Sequence, residues 1–178
     1  ANVISSPGFK RCLPMGFDYF LSHNFDVNSV RKALKGECSN TIQSQSDVIN
    51  VLTIGGIRDF SSNIEIVKSL ANRKGSAAEQ IKEYAIKHDV KNISFEGYYP
   101  KEKEMGYIQQ SSFLNIFYPR VITHDTALSN RFYNSLIFRK PMIVTKNTTQ
   151  GDYAEKYNVG VVVAECSNLG NELRTFMQ

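Results

Sequence analysis

The amino-acid sequence predicts an α/β protein with a Rossmann-like, doubly wound, mostly parallel sheet and helices on both faces. Three observations carry that expectation. Strand-sized apolar runs alternate with segments of helical period. The strands are apolar on both faces, as in a sheet covered twice. Residues 130–163 then read in order as an amphipathic helix, a Lys-Pro stop, a buried strand, a Gly-containing loop, a helix and an apolar strand. Two strands joined by a helix in this way form a right-handed parallel crossover unit. In such a unit, ligands sit in the loops at the carboxyl ends of the strands.

Along the chain, residues 17–25 (FDYFLSHNF) read as a short strand ending in a polar turn, and residues 27–34 as a weak helix. The polar stretch 37–47 reads as a loop, and residues 48–54 (VINVLTI) as a strong buried strand. Residues 63–71 and 77–88 carry apolar side chains at helical spacing, Ile64, Val67 and Leu70 in the first and Ile81, Tyr84 and Ala85 in the second. Only Asn-Arg-Lys-Gly-Ser separates these two helices, where regular alternation demands a strand. Either the domain lacks that strand or a segment is missing near Lys74-Gly75, and the second is the favoured reading. Residues 92–96 (NISFE) read as a strand ended by Gly97, residues 101–110 as a short charged helix, and residues 113–118 (FLNIFY) as a strand. A long loop runs through His124, Asp125 and Thr126. The strand 142–145, the helix 151–157 and the strand 159–163 follow, and NELRTFMQ has a helical pattern.

Size and composition bound the function. The 178 residues suit one domain with a full core. A net charge of +4 fits anionic small ligands or an anionic membrane surface and is too small and scattered for nucleic acid. Cys12, Cys38 and Cys166 are widely spaced and odd in number, which argues against a disulfide framework and for a reducing cytoplasm. His23, His88 and His124 are isolated, so no protein-built metal site is expected. No signal peptide or membrane-length apolar run is visible. The sequence starts without Met and ends within a helical pattern, as a piece of a longer chain would.

Candidate site residues cluster after the strands. Gly55-Gly56-Ile57-Arg58 follows a strong strand, so the glycines would let a ligand approach the backbone and Arg58 would clamp a phosphate; a plain tight turn is the alternative. Ser129 or Asn130 is a good N-cap. The same helix start, with Arg131, could also point at a diphosphate, bracketed by Thr126 and Asn134. Tyr98-Tyr99 after NISFE would stack on a base or pack as a lid on the core edge. Glu96 and Asp125 are lone candidate acids or bases, and no nucleophile–base pair can be built from sequence order.

Taken together, these motifs resemble the C-terminal, nucleotide-sugar-binding half of a GT-B-fold glycosyltransferase of the retaining group called family 4. The nearest relatives by pattern are bacterial transferases of capsular and surface polysaccharide. The resemblance rests on LSHNFD at residues 21–26, VLTIGGIRDFSSNIEIVKSLAN at 51–72, ISFEGYY at 93–99, NRFYNSLIFRKPMIVTKN at 130–147 and GDYAEKYNVGVVV at 151–163. It departs from the pattern where the family carries two glutamates with seven residues between them, because Thr126 and Asn134 stand there. It departs again where Arg139 replaces the usual glycine before Lys-Pro.

The resemblance implies a single donor-binding domain over residues 1–178, separated from an N-terminal acceptor domain. It implies hexose transfer from a nucleoside diphosphate sugar to a polysaccharide or lipid-linked acceptor, with no metal cofactor and little activity in this half alone. By the same resemblance Gly55, Gly56, Arg58, Ser129, Asn130 and Arg131 would bind the diphosphate. Gly97, Tyr98 and Asn134 would bind the nucleoside, and Asp125 and Thr126 the sugar; the catalytic residue stays unassigned. A cytoplasmic location is implied, with peripheral association of the full-length protein at the inner membrane face. Two alternatives stay open: a non-catalytic domain of the same half-fold, and an unrelated doubly wound nucleotide-binding module.

Overall fold

The computed structural model describes residues 2–4, 8, 19–21, 27–36, 48–54, 63, 65–66, 78–96 and 99–178. Its centre is a four-stranded, all-parallel sheet in the order β3 (Val51–Leu52), β4 (Phe113–Ile116), β5 (Met142–Thr145) and β6 (Gly160–Val163). In register, Leu114 pairs with Met142 and Met142 with Gly160. A separate parallel pair joins β1 (Asn2–Ile4) to β2 (Tyr19–Leu21). The helices are α1 (Val27–Leu34), α2 (Ala78–Lys87), α3 (Glu104–Gln110), α4 (Ile122–Thr126), α5 (Asn130–Ile137), α6 (Thr149–Tyr157) and α7 (Leu169–Phe176). A 3-10 turn, Lys101–Lys103, leads into α3.

Strand period sorts the core into two layers. Phe113, Phe117, Ile143, Val161 and Val163 meet Ile66, Leu169 and Leu173 on one face. Ile116, Met142 and Val144 meet Phe132, Tyr133 and Ala154 on the other, and Leu114 continues that layer with Ile108 and Phe138. All four residues of β4 and of β5 are buried, which is why these strands read as apolar runs broken only by Asn115 and Thr145. The doubly covered, parallel α/β sheet expected from sequence is therefore present.

Element ends follow local hydrogen bonding. Thr148 Oγ1 accepts from the Gly151 N–H at 3.0 Å, which starts α6 two residues before the expected position. The expected strand 113–118 stops at Ile116 because side chains take over the ladder. Asn115 Oδ1 accepts from the Phe117 N–H at 3.0 Å, and Thr145 Oγ1 accepts from the Tyr118 N–H at 2.9 Å. Residues 119–129 are not all loop. Asp125 N donates to Val121 O at 2.8 Å and winds the short helix α4.

Residues 92–96 are not a strand. Only Ile93 is drawn inward, against Ile81 and Tyr84 of α2, while Ser94, Phe95 and Glu96 are exposed. An exposed segment anchored at one apolar position gains little by joining a buried sheet. The expected extensions of the first strand (17–18 and 22–25), the loop 37–47, most of the helix 63–71 and the region around Lys74-Gly75 lie outside the described residues.

Three helices end on one motif with a non-glycine residue in the left-handed region. After α5, Arg139 has φ 50°, the Lys140 N–H reaches Ser135 O at 2.9 Å and the Arg139 N–H reaches Leu136 O at 3.2 Å. Asp89 (φ 51°) and Asn158 (φ 49°) close α2 and α6 in the same way. This double-bonded ending favours glycine, and a side chain there costs about 1 kcal/mol. Arg139→Gly should therefore raise unfolding stability by about 1 kcal/mol in urea titration.

Cys166 lies in the core beside Val163 and Leu169. Burial pushes its thiol up to about 12, helped by Glu65, Glu172 and Glu165. Below pH of about 8.5 the thiol is neutral in both states. Above that, the unfolded thiol ionises while the folded one keeps its proton. Stability therefore falls as pH rises toward 12, by up to about 1.4 kcal/mol per pH unit. Urea melts at pH 8 and near pH 10 should show a steeper loss for the natural chain than for Cys166→Val.

Candidate functional site

Because the four strands are parallel, their carboxyl ends share one edge, and the amino ends of the helices that return to the sheet gather there. Arg131, in the first turn of α5, spans that edge. Its Nε donates to Ile54 O beyond β3, and its Nη1 donates to Asn115 O of β4 at 3.4 Å. The same guanidinium sits 5.6 Å from the centre of the Tyr118 ring. The His124 ring lies 4.9 Å from the same tyrosine, tilted by 36°, with its Nδ1 3.1 Å from Pro119 O.

Beneath this cluster, Asn115 is completely buried in an otherwise apolar strand. Its amide donates to Thr53 Oγ1 at 2.9 Å and Asn63 Oδ1 at 3.2 Å, while its oxygen takes the Phe117 N–H. The Thr145 hydroxyl donates to Tyr118 O at 2.8 Å and locks the end of β5 to the crest of β4. The polar ends of three strands are thus closed by side chains, leaving a defined rim.

Further along the rim, Arg120 grips Asp125 with two bonds, Nε to Oδ1 at 2.7 Å and Nη2 to Oδ2 at 2.9 Å. The hydrogen bond to Asp125 makes the Arg120 guanidinium more basic than usual. Arg120 Nη1 also reaches Lys146 O, just past β5, at 3.4 Å. Asp125 is therefore a paired carboxylate placed to orient Arg120. Thr126 is buried, its hydroxyl donating to Ile122 O at 2.7 Å inside α4. Gly8 packs against this corner. A Cβ on Gly8 would lie 2.1 Å from Thr149 Oγ1 and 2.4 Å from Thr126 O, so only glycine permits the approach.

Ser129 is the N-cap of α5, accepting from the Phe132 N–H at 3.2 Å. Its own N–H and hydroxyl both go to Gln150 Oε1, at 3.0 and 2.7 Å, tying the starts of α5 and α6 together. Asn130 is exposed at the first position of the helix. Asn134, a turn further on, belongs to a second locus. Its Nδ2 donates to Glu104 Oε1 at 3.1 Å, and Lys101 holds the same oxygen at 2.5 Å. Near the same helix, Tyr107 donates to Glu96 at 3.4 Å and meets Tyr99 edge-on at 5.5 Å.

The structure thus brings Ser129, Asn130, Arg131, Asp125 and Thr126 to one rim and sets Asn134 beside α3. Gly55, Gly56, Arg58, Gly97 and Tyr98 lie outside the described residues. Sequence reading missed Asn115, Tyr118, Arg120, Thr145 and Gln150. A lone Asn inside FLNIFY was the available signal for the first. Among the described residues, no group of three or more His, Cys, Asp or Glu is placed to hold a metal, and no helix is long and apolar enough to cross a membrane.

Asn115→Leu should destabilise the fold by roughly 1–3 kcal/mol, because it strands the Phe117 N–H in the interior. Urea unfolding measures that loss. No protein-family model, no curated protein and no solved structure matches the chain, so what is shown is an α/β protein with a parallel sheet whose carboxyl edge is the candidate site.

Proposed function

We propose that the chain is the nucleotide-sugar-binding half of a glycosyltransferase, with the donor's diphosphate held at the carboxyl edge of the sheet. One observation carries this reading: Arg131 bridges the carboxyl ends of β3 and β4, where a parallel α/β sheet offers its ligand crevice. Arg120, set by Asp125 on the same rim, adds a second guanidinium. In this reading the diphosphate lies against Arg131 and the start of α5, and Asn134 with Glu104 meets the nucleoside. The hexose passes to a polysaccharide or lipid-linked acceptor held by another domain. Arginines and the helix dipole would stabilise the charge growing on the departing diphosphate, without a metal.

A second reading is favoured by a specific observation. Ser129, Asp125 and Thr126 already direct their side-chain hydrogen bonds into the fold, to Gln150, Arg120 and Ile122. A non-catalytic member of the same half-fold would look like this, with the rim serving stability alone. Titration calorimetry of the full chain with UDP, GDP and their hexose conjugates separates the two. The donor-binding reading expects saturable binding by one nucleotide class, weakened about 10- to 100-fold in Arg131→Ala, the range of one lost charge-assisted contact. A folded chain that saturates with none of them would leave the non-catalytic reading.

A further inference from the structure

His124 is half-buried on the rim, and its two ring nitrogens are in different situations. Nδ1 lies 3.1 Å from Pro119 O. A carbonyl oxygen only accepts, so Nδ1 carries the hydrogen and the neutral ring keeps its lone pair on Nε2. Nε2 has no hydrogen-bond partner among the described residues. Pro119 thus fixes one end of the ring and Tyr118 lies along its side, while the other end is uncommitted.

The neighbours of the imidazole are cationic groups set by the strand ends. The Tyr118 ring that meets His124 also carries the Arg131 guanidinium, and the next residue, Asp125, holds Arg120. By contact, His124 therefore comes between the two guanidiniums of the rim. The other charged side chains on the elements that meet here are Lys146 after β5 and Asp152, Glu155 and Lys156 on α6. Asp125 is the acid beside His124 in sequence, and Arg120 occupies both of its oxygens. Among the described residues no carboxylate bonds the imidazole, so a proton on Nε2 finds its acceptor in solvent or in a ligand.

We propose that His124 Nε2 is a further contact to the donor's diphosphate, and that the donor binds together with one proton. The inference rests on the donor-binding reading given above. A neutral Nε2 sets its lone pair against those of a phosphate oxygen, whereas Nε2–H donates a charge-assisted hydrogen bond to it. The proton comes from solvent and stays on the imidazole while the anion is bound. Because the bound state then holds one proton more than the free state, affinity rises as pH falls, by at most about tenfold per pH unit.

Calorimetry of the full chain with UDP-glucose and GDP-mannose, near pH 6 and near pH 8 in buffers of different ionisation enthalpy, reads affinity and proton uptake together. Both phosphoryl groups of these probes are diesters with no proton to lose in that range, so uptake reports the protein. The natural chain should bind one of them several-fold more tightly at the lower pH, with proton uptake. His124→Asn, whose amide reaches Pro119 but not the rim, should bind about tenfold more weakly near pH 6 and lose the uptake. His124→Gln, whose amide nitrogen falls where Nε2 stood, should restore the affinity and bind equally at the two pH values. His88→Gln, just past α2, should behave as the natural chain does. Imidazole ¹⁵N spectra with added sodium sulfate, whose charge is constant near neutrality, give a reading that needs no nucleotide: His124 Nε2 should move toward its protonated position. Donor binding that Arg131→Ala weakens, but that ignores both His124 and pH, would overturn this inference and leave the donor reading standing. A sulfate response in a chain that binds no UDP or GDP compound would uphold the anion contact and overturn the donor reading. Silence of His124 toward all these anions, or a free ring with its hydrogen on Nε2, would overturn the proposal outright.

Discussion

A parallel sheet buried on both faces satisfies its backbone through the ladder, and the ladder must stop somewhere. In this protein the stop is made by side chains on the strands themselves. Asn115 takes the Phe117 N–H and Thr145 takes the Tyr118 N–H, so β4 and β5 end on fixed partners within the core boundary. Leaving those groups unpaired would cost about 1–3 kcal/mol each. The rest of the rim depends on this closure. The carbonyls that receive Arg131, the ring of Tyr118 against which it rests, and the path to Arg120 all follow from where those strands end.

Legibility in the sequence followed local pattern. The strand 142–145 and the helix 27–34 were legible to the residue from their apolar period, and α6 to within two residues. NISFE failed as a strand for the opposite reason. Its β-forming residues match a strand, but pairing is decided by whether a partner and a covering layer exist, which a local pattern does not contain. Helix α4 was hidden because its five residues, ITHDT, carry little helical propensity and are held by Thr126, Asp125 and their tertiary neighbours.

The site was less legible than the fold. Arg131 and Ser129 stood out because a charge and a cap at a helix start invite a ligand reading, yet their partners come from far along the chain. Arg131 meets Ile54, 77 positions away, and Ser129 meets Gln150, 21 positions away. No spacing rule joins such pairs before the crossover topology is known. Arg139 illustrates the converse. As a residue in place of an expected glycine it looked like a change in the site, whereas its φ of 50° marks it as a helix ending at the amino edge of the sheet.

The two arginines of the rim are held by different chemistry, and the difference bears on what each can do. Arg120 is oriented by a carboxylate, which cancels much of its charge and raises its basicity. The carbonyls of Ile54 and Asn115 orient Arg131 without cancelling charge, because a carbonyl is a dipole rather than an anion. An incoming phosphate competes with a carboxylate for the same fork of donors, whereas a carbonyl takes one N–H and brings no net charge to oppose the phosphate. The Tyr118 ring adds attraction to the cation's face while leaving its edge directions for hydrogen bonds. Of the two, Arg131 is the one whose position is set by the strand ends themselves, the kind of placement that lowers the ordering cost of binding.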